Sequence, residues 1–563
     1  MLVNIYSVIF FTTLYFHGVG FLKIINKFTS LDFFKSNLRL NPIYPLISIF
    51  FLSNQLLILN YFFSINNILL PFYLINFYIV FIGFVEKKQN SKKIYLFFIP
   101  FILSFSTFIQ KINIDVETYG ILYQFLVRNS KLILGNVEIF WRLGLNGILS
   151  YLNSILWLDN NFIFVHLVSV VVISAFFVFL YEGLLKSKNK FYFFFSFYLI
   201  LYSFLDNFGV AGGANGFINF QMTGAVDSII AVYSILAVFY TFYLIQESKL
   251  SSEDYLLISI LMIFIVQIKT TGAPIVFSYL VLNYYYIKFN SINLKKFLKV
   301  NFALYLLGFL YLVKNVLSSG CLIYPVKILC FKNSKWYNQD LYGEVSRMAK
   351  EWYLAFEVGQ NFITWFNQWL KIKNNFQITA NFFISFFIIY IIYKIFTNKK
   401  KNPVLKIYLL QILFGFLFWM FTLPTPRFAL TFFALAVAIF SFKSSEFKFE
   451  LRNINYLIAI VFLFSLIFTN RLDSYKSYSL YVFNDYEITS NVIKNLNNQS
   501  KLAIPEELDV MTSCVNVNNC QLEFSKYKFT KKYNYKIMEP KNIYIPKTVT
   551  HEKNWENFIF YNN

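Results

Sequence analysis

Histidine, cysteine and carboxylates are scarce in this chain. Its 563 residues include 3 His and 4 Cys, and 28 Asp plus Glu stand against 50 Lys plus Arg, with 14% of residues charged and a formal net charge of +22. His17, His166 and His551 do not cluster with the cysteines, which disfavours a Cys/His zinc centre. No Asp-x-Asp triplet occurs, so a divalent cation held by acids is allowed but not required. The glycine-rich run Gly209 to Gly216 lacks a following Gly-Lys-Ser/Thr and has no strand before it, which excludes a nucleotide P-loop and leaves a flexible or re-entrant turn. Neither an internal repeat nor a long linker is evident, which weakens an inverted-repeat transporter and favours one folded membrane unit.

Apolar residues make up 57% of the chain and aromatics 22%. The aromatic count follows a Phe, Ile, Tyr, Lys and Asn bias of the kind an AT-rich genome produces, so it is not by itself a sign of sugar stacking. Continuous apolar blocks such as Phe162 to Leu185 and Ala225 to Gln246 are long enough to cross a hydrocarbon core of about 30 Å as helices. They do not alternate in polarity as barrel strands would. The expected fold is an all-α polytopic membrane protein of about 14 transmembrane helices. Cations collect in alternate connections, among them Lys23 to Arg39, Lys87 to Lys93, Lys186 to Lys190, Lys288 to Lys299 and Lys399 to Lys401. By the positive-inside rule these face the cytoplasm, and the charge is a topology signal rather than a nucleic-acid footprint.

That parity divides the chain into a transmembrane part, 1–469, with outer loops at 111–161 and 315–377, and an extracytoplasmic tail, 470–563, read as a small α+β segment. In the second loop, Met348, Trp352 and Phe356, then Trp365, Phe366, Trp369 and Leu370, are spaced for amphipathic helices lying on the bilayer surface. The cysteines form two local pairs on the outer side, Cys321 with Cys330 and Cys514 with Cys520, the spacing of two disulfides in an oxidising compartment.

The first outer loop opens on Ile114-Asp115-Val116-Glu117-Thr118. Two carboxylates at a membrane face could terminate the preceding helix, or could serve as a base toward a lipid-borne substrate. Three cations sit at outer helix ends where topology does not call for them: Lys269, Lys314 and Arg427. Burying a Lys or Arg at the membrane centre costs about 3 kcal/mol. Snorkelling to headgroups is one explanation, and an anionic partner such as a phosphate is the other. Arg427 offers a planar fork for two phosphate oxygens, and the lysines act as point charges. Asp206 and Asp227 bracket the outer connection that holds the glycine-rich run.

In order, these landmarks resemble the GT-C class of integral membrane glycosyltransferases, and more closely an uncharacterised bacterial family of polytopic proteins linked to surface polysaccharide. The likeness rests on Glu117-Thr118 to Gln124, Gly135-Asn136, Arg142-Leu143-Gly144-Leu145-Asn146, Lys314 to Gly320 with Tyr324-Pro325, Pro424 to Phe428, and the tail cysteines. The first-loop acid of such proteins is usually Asp with a histidine soon after. This chain has Glu117 in that place, Asp115 two residues before it, and no histidine. About four spans precede the loop, where the familiar enzymes have one.

The resemblance implies a transferase in the bacterial cytoplasmic membrane, with its active site facing outward. It would move a sugar from a polyprenyl-phosphate-type donor to a cell-envelope glycan, lipid or protein acceptor. Glu117 or Asp115 would deprotonate the acceptor hydroxyl for an inverting attack. Arg427, Lys314 and Lys269, with Arg142, Asn146 and Asp227, form the expected substrate and lipid-phosphate contacts. The alternatives are a flippase or transporter of lipid-linked glycan, which would place charges along the midplane, and an O-antigen polymerase or ligase, which would use a later loop in which Arg347 is the one arginine.

Overall fold

The computed structural model describes residues 2–29, 31–87, 94–104, 120–139, 141–156, 163–206, 226–291, 294–334, 361–370, 387–394, 403–422 and 426–444, together with short segments at 502–503, 527–532, 535–540 and 559–561. Asp115, Glu117, Cys514 and Cys520 lie outside the described residues, as does the segment around Met348, Trp352 and Phe356.

The described chain is mostly helical. Seven helices are long and apolar enough to cross a membrane: Asn4–Phe28, Ile43–Asn60, Ile65–Glu86, Phe164–Lys186, Asp227–Glu247, Phe297–Ser319 and Pro403–Thr422. Two shorter apolar helices, Lys190–Tyr202 and Leu430–Phe442, accompany them. Of the other expected spans, Ser252–Ile268 and Ile275–Asn290 are helices of 17 and 16 residues. Those at 94–110 and 376–396 are described only in part, and 456–468 lies outside the described residues. Among the described tail residues, four short antiparallel strands pair in the order Leu502–Ala503, Ile559–Tyr561, Tyr535–Pro540 and Tyr527–Lys532.

Burial sorts the helices into a centre and a rim. The most apolar window of Asp227–Glu247 is 94% buried and that of Phe164–Lys186 is 89% buried, whereas those of Ile65–Glu86 and Phe297–Ser319 are each 22% buried. A helix apolar on every side is either enclosed by protein or bathed in lipid. The first pair is the centre of the bundle, and the second presents Leu70, Phe77, Phe302 and Phe309 outward.

Two central helices form a tight antiparallel hairpin. Asp227–Glu247 ends at Ser248 in the left-handed conformation (φ 53°). Ser251 then begins Ser252–Ile268 with a capping box, its hydroxyl accepting from the Asp254 amide while the Asp254 carboxylate accepts from the Ser251 amide. At 1.5 Å per residue the two helices run about 31 and 26 Å. Because the lengths nearly match, the first residue of the hairpin, Asp227, returns beside Lys269, which follows its last helical residue.

Buried polar side chains tie the helices together. His17 bridges Asn76 (2.9 Å) and Ser48 (2.8 Å), so this histidine joins three helices. Asn54 and Gln267 exchange two amide hydrogen bonds of 3.1 and 3.0 Å across the bundle. In the membrane interior such groups must be satisfied within the protein, and each pair also fixes a register.

Two expectations are corrected by the packing. Lys314, expected at a helix end, lies inside the helix Leu294–Ser319 and is 1% exposed. In Phe362–Leu370, Trp365 and Trp369 are buried, and the Trp369 ring meets Trp419 of Pro403–Thr422 edge-on at 6.1 Å. These tryptophans dock onto another helix instead of facing the bilayer surface, because a neighbouring aromatic wall removes more of their surface from water than an interface would.

Candidate functional site at one end of the bundle

The segments singled out in the sequence assemble on one another. Gly135 takes a positive φ of 62°, a backbone conformation that suits glycine. Its amide donates to the Leu317 carbonyl at 2.9 Å, docking the segment 120–139 on the end of Leu294–Ser319. Farther along the chain, Ile148 donates to the Gln267 carbonyl at 2.9 Å. Gly147 lies so close to Ile268 that a Cβ there would stand 1.8 Å from its carbonyl oxygen. Only a residue without a side chain lets the loop rest on the helix end.

Lys314 is clasped in this contact. Its Nζ donates to the Asn146 carbonyl at 3.1 Å and to Asn315 Oδ1 at 3.4 Å, and lies 5.3 Å from the Tyr123 ring and 5.6 Å from that of Tyr311. Among the described residues no carboxylate lies within ion-pair distance of it. A carbonyl, an amide oxygen and two aromatic faces are therefore its partners among the described residues. The Tyr123 hydroxyl meets that of Tyr151 at 3.1 Å, and burial raises the pKa of both phenols, which keeps them neutral. Tyr123 follows Glu117 by six residues and Asp115 by eight.

Lys269 behaves differently from the sequence expectation. Its Nζ forms an ion pair with Asp227 Oδ1 at 3.0 Å, and the side chains are 30% and 7% exposed. The anionic partner that its position called for is thus inside the protein. The same ammonium stands 4.5 Å from the ring of Phe428. Phe428 belongs to the 3₁₀ turn Pro426–Ala429, so the backbone of Arg427 reaches the Lys269 end of the hairpin. Arg142 is on the 3₁₀ turn Trp141–Leu145, three residues before Leu145 and four before the Asn146 carbonyl that holds Lys314. For Arg142 and Arg427 the backbone is placed and the side chain lies outside the described residues.

Beside the ion pair is a small cavity of about 20 Å³, lined by Asp227, Ser234, Thr271, Gln411, Phe428 and Thr431 among others. Gln411 donates to the Pro274 carbonyl at 3.3 Å, and its buried Oε1 has no hydrogen-bond partner among the described residues. Among the described residues, no group of three or more His, Cys, Asp or Glu is placed to hold a metal ion.

Cys321 and Cys330 form a disulfide and face each other across an isolated antiparallel bridge, as their spacing suggested. On the chain-entropy account, closing a loop of this size stabilises by about 2.5 kcal/mol. The loop is tied back to the helix that carries Lys314 by Asn315 Nδ2, which donates to the Leu322 carbonyl at 3.0 Å.

Tyr151 and Gln411 were not singled out in the sequence. Tyr311 had a signal, since it precedes Lys314 by three residues and so shares its helix face. Tyr151 and Gln411 had none, because their roles depend on which helices meet.

No curated protein and no solved structure matches this chain. A family model described as a domain of unknown function, DUF8201, matches residues 1–434. That match covers most of the chain and contains every segment of the candidate site up to the Pro426–Ala429 turn, and on that ground the chain belongs to the DUF8201 family.

Proposed function

We propose that this protein is a membrane glycosyltransferase that moves a sugar from a polyprenyl-phosphate-type lipid donor to a cell-envelope acceptor at the outer face. The observation that carries the reading is the assembly at one bundle end of Asn146, Lys314, Lys269, Asp227 and the turn bearing Arg427. A phosphate leaving group needs positive charge where its own charge develops, and the amine of buried Lys314, held by neutral groups among the described residues, would supply it when protonated beside the bound phosphate. Lys269 has a different role. Neutralised by Asp227, it braces the turn under Phe428 and thereby positions Arg427 as the second phosphate contact.

The base is Glu117 or Asp115, on the segment that leads into Tyr123. Deprotonation of the acceptor hydroxyl forms the nucleophile, its oxygen bonds to the anomeric carbon with inversion, and the bond to the lipid phosphate breaks with its electron pair leaving on the phosphate oxygen. The gathering of charge at one end, rather than along the midplane, favours this reading over a flippase.

The test is incorporation of radiolabelled sugar from the lipid-linked pool of membranes carrying wild-type protein, Glu117→Gln, Asp115→Asn or Arg427→Ala at matched expression. One carboxylate variant and Arg427→Ala are expected to fall about a hundredfold. Undiminished incorporation in all three rules out the site.

A further inference from the structure

The other end of the Asp227–Glu247 helix carries a second cavity. Its wall includes Tyr240 and Tyr243, about 20 to 24 Å along the helix from Asp227. Two separate basic connections close over it, contributing Arg39 from one and Lys186 and Lys188 from the other, and Tyr192 completes the aromatic side. The cavity volume is about 340 Å³, at the lower end of small-molecule sites and far more than a water needs.

The charge of this cavity is of one sign. Three cations line it and, among the described residues, no carboxylate does. Two carboxylates in this region already have partners. Glu247 accepts from Asn189 at 2.9 Å and pairs with Lys249 at 3.6 Å. Glu182 is 1% exposed and takes hydrogen bonds from Asn41 and from Tyr95, the latter at 2.7 Å, on Oε1. Its Oε2 is buried without a hydrogen-bond partner.

The local backbone explains why the cations converge. Residues Glu182–Lys186 form a π-helical turn at the end of Ile163–Tyr181, the kind of widened turn that recurs at functional sites. Lys186 stands 3.9 Å from the Tyr95 ring centroid, held at the rim by cation–π attraction. Asn189 then accepts from the Tyr192 amide at 3.1 Å, capping Lys190–Asp206 so that the positive end of that helix dipole also faces this region. The Arg39 backbone is anchored by the Tyr240 hydroxyl, which donates to its carbonyl at 3.1 Å.

Basic loops alone would follow from the positive-inside rule and would spread their charge over the surface. Here charges from two connections border one aromatic-walled cavity. We infer that this cavity is a phosphate-binding site on the basic face of the protein, taking the headgroup of an anionic phospholipid. The cations would hold the phosphodiester, and the tyrosines and Phe239 would cover the glycerol end. The inference does not depend on the transferase reading, because the two sites are at opposite ends of one helix.

The test measures binding of radiolabelled phosphatidylglycerol to the full-length protein in neutral detergent micelles. The triple variant Arg39→Gln, Lys186→Gln, Lys188→Gln is expected to bind about tenfold more weakly or worse. A control triple, Lys288→Gln, Lys295→Gln, Lys299→Gln, removes the same charge from other basic connections and is expected to bind like wild type. Equal loss in both, or no loss in the first, overturns the site. Competition by inorganic phosphate separates the two sources of this chemistry: undisplaced lipid assigns the site to the headgroup, and displacement assigns it to a soluble phosphate compound, overturning the lipid assignment. Lys188→Glu, at an exposed position, serves if the triple variant is not recovered folded; weakening by about threefold supports the site and unchanged binding overturns it.

Discussion

Breaking the Asp227–Lys269 pair is expected to loosen the hairpin and the turn that carries Arg427. The charges are 3.0 Å apart, with Asp227 buried and Lys269 less than one-third exposed. At an effective dielectric of about 20 their attraction is about 5 kcal/mol, most of it offset by desolvating the two groups. Exposed pairs retain at most about 1 kcal/mol, and removing one partner of a buried pair costs about 3 to 5. This half-buried pair falls between, with a coupling of about 2 kcal/mol. Asp227 is also the first residue of its helix, where a carboxylate contributes about 0.5 kcal/mol more through the helix dipole. Asp227→Asn should therefore cost about 2.5 kcal/mol, and the double variant with Lys269→Met should cost less than the two singles added together. The assay is reversible unfolding of the purified protein in mixed SDS micelles, read as a double-mutant cycle. A coupling below about 0.5 kcal/mol would refute the reasoning, since it would leave Lys269 free to serve an external anion.

Two further outcomes follow from the contacts of the segment 120–156. Lys314→Met keeps the volume while removing a buried amine, so stability should stay within about 1 kcal/mol of wild type and sugar incorporation should fall about a hundredfold; a loss above about 3 kcal/mol would show that the amine mainly holds the loop. Gly147→Ala would drive a Cβ into the Ile268 carbonyl and break the 2.9 Å bond from Ile148 to Gln267, and hydrogen exchange at 146–149 should speed up by about tenfold or more, an outcome that unchanged protection would contradict.

The helical membrane class was legible because it depends on local composition: blocks of apolar residues as long as a bilayer is thick can satisfy their backbones only as helices. The local disulfide Cys321–Cys330 was legible for a similar reason, since a short loop brings its ends together in almost any fold. Lys314 and Asn146 both stood out in the sequence, although the contact between them did not. They are 168 residues apart, and only the docking of Gly135 and Gly147 on two helix ends brings them to 3.1 Å.

Lys269 is the instructive contrast. Its position after an apolar run marked it as a cation in need of an anion, and that need is real. Sequence spacing could not identify the anion, because Asp227 is 42 residues away and becomes a neighbour only when two helices of similar length fold back on each other. Trp365 and Trp369 follow the same logic: their spacing defines an amphipathic face, while whether lipid or protein covers it depends on Trp419.

What the amino-acid sequence determined by itself was therefore local: helices long enough to span, basic connections gathered between them, a short disulfide loop, and polar residues costly to bury. What only the tertiary structure decided was pairing. It gave Lys269 to Asp227, enclosed Lys314 between two tyrosines and a carbonyl, and brought Arg39 to Lys186 and Lys188 around one cavity. The physical reason is that a residue's own chemistry sets what it costs to bury, while the partner that offsets the cost is supplied by whichever distant helix or loop packs beside it.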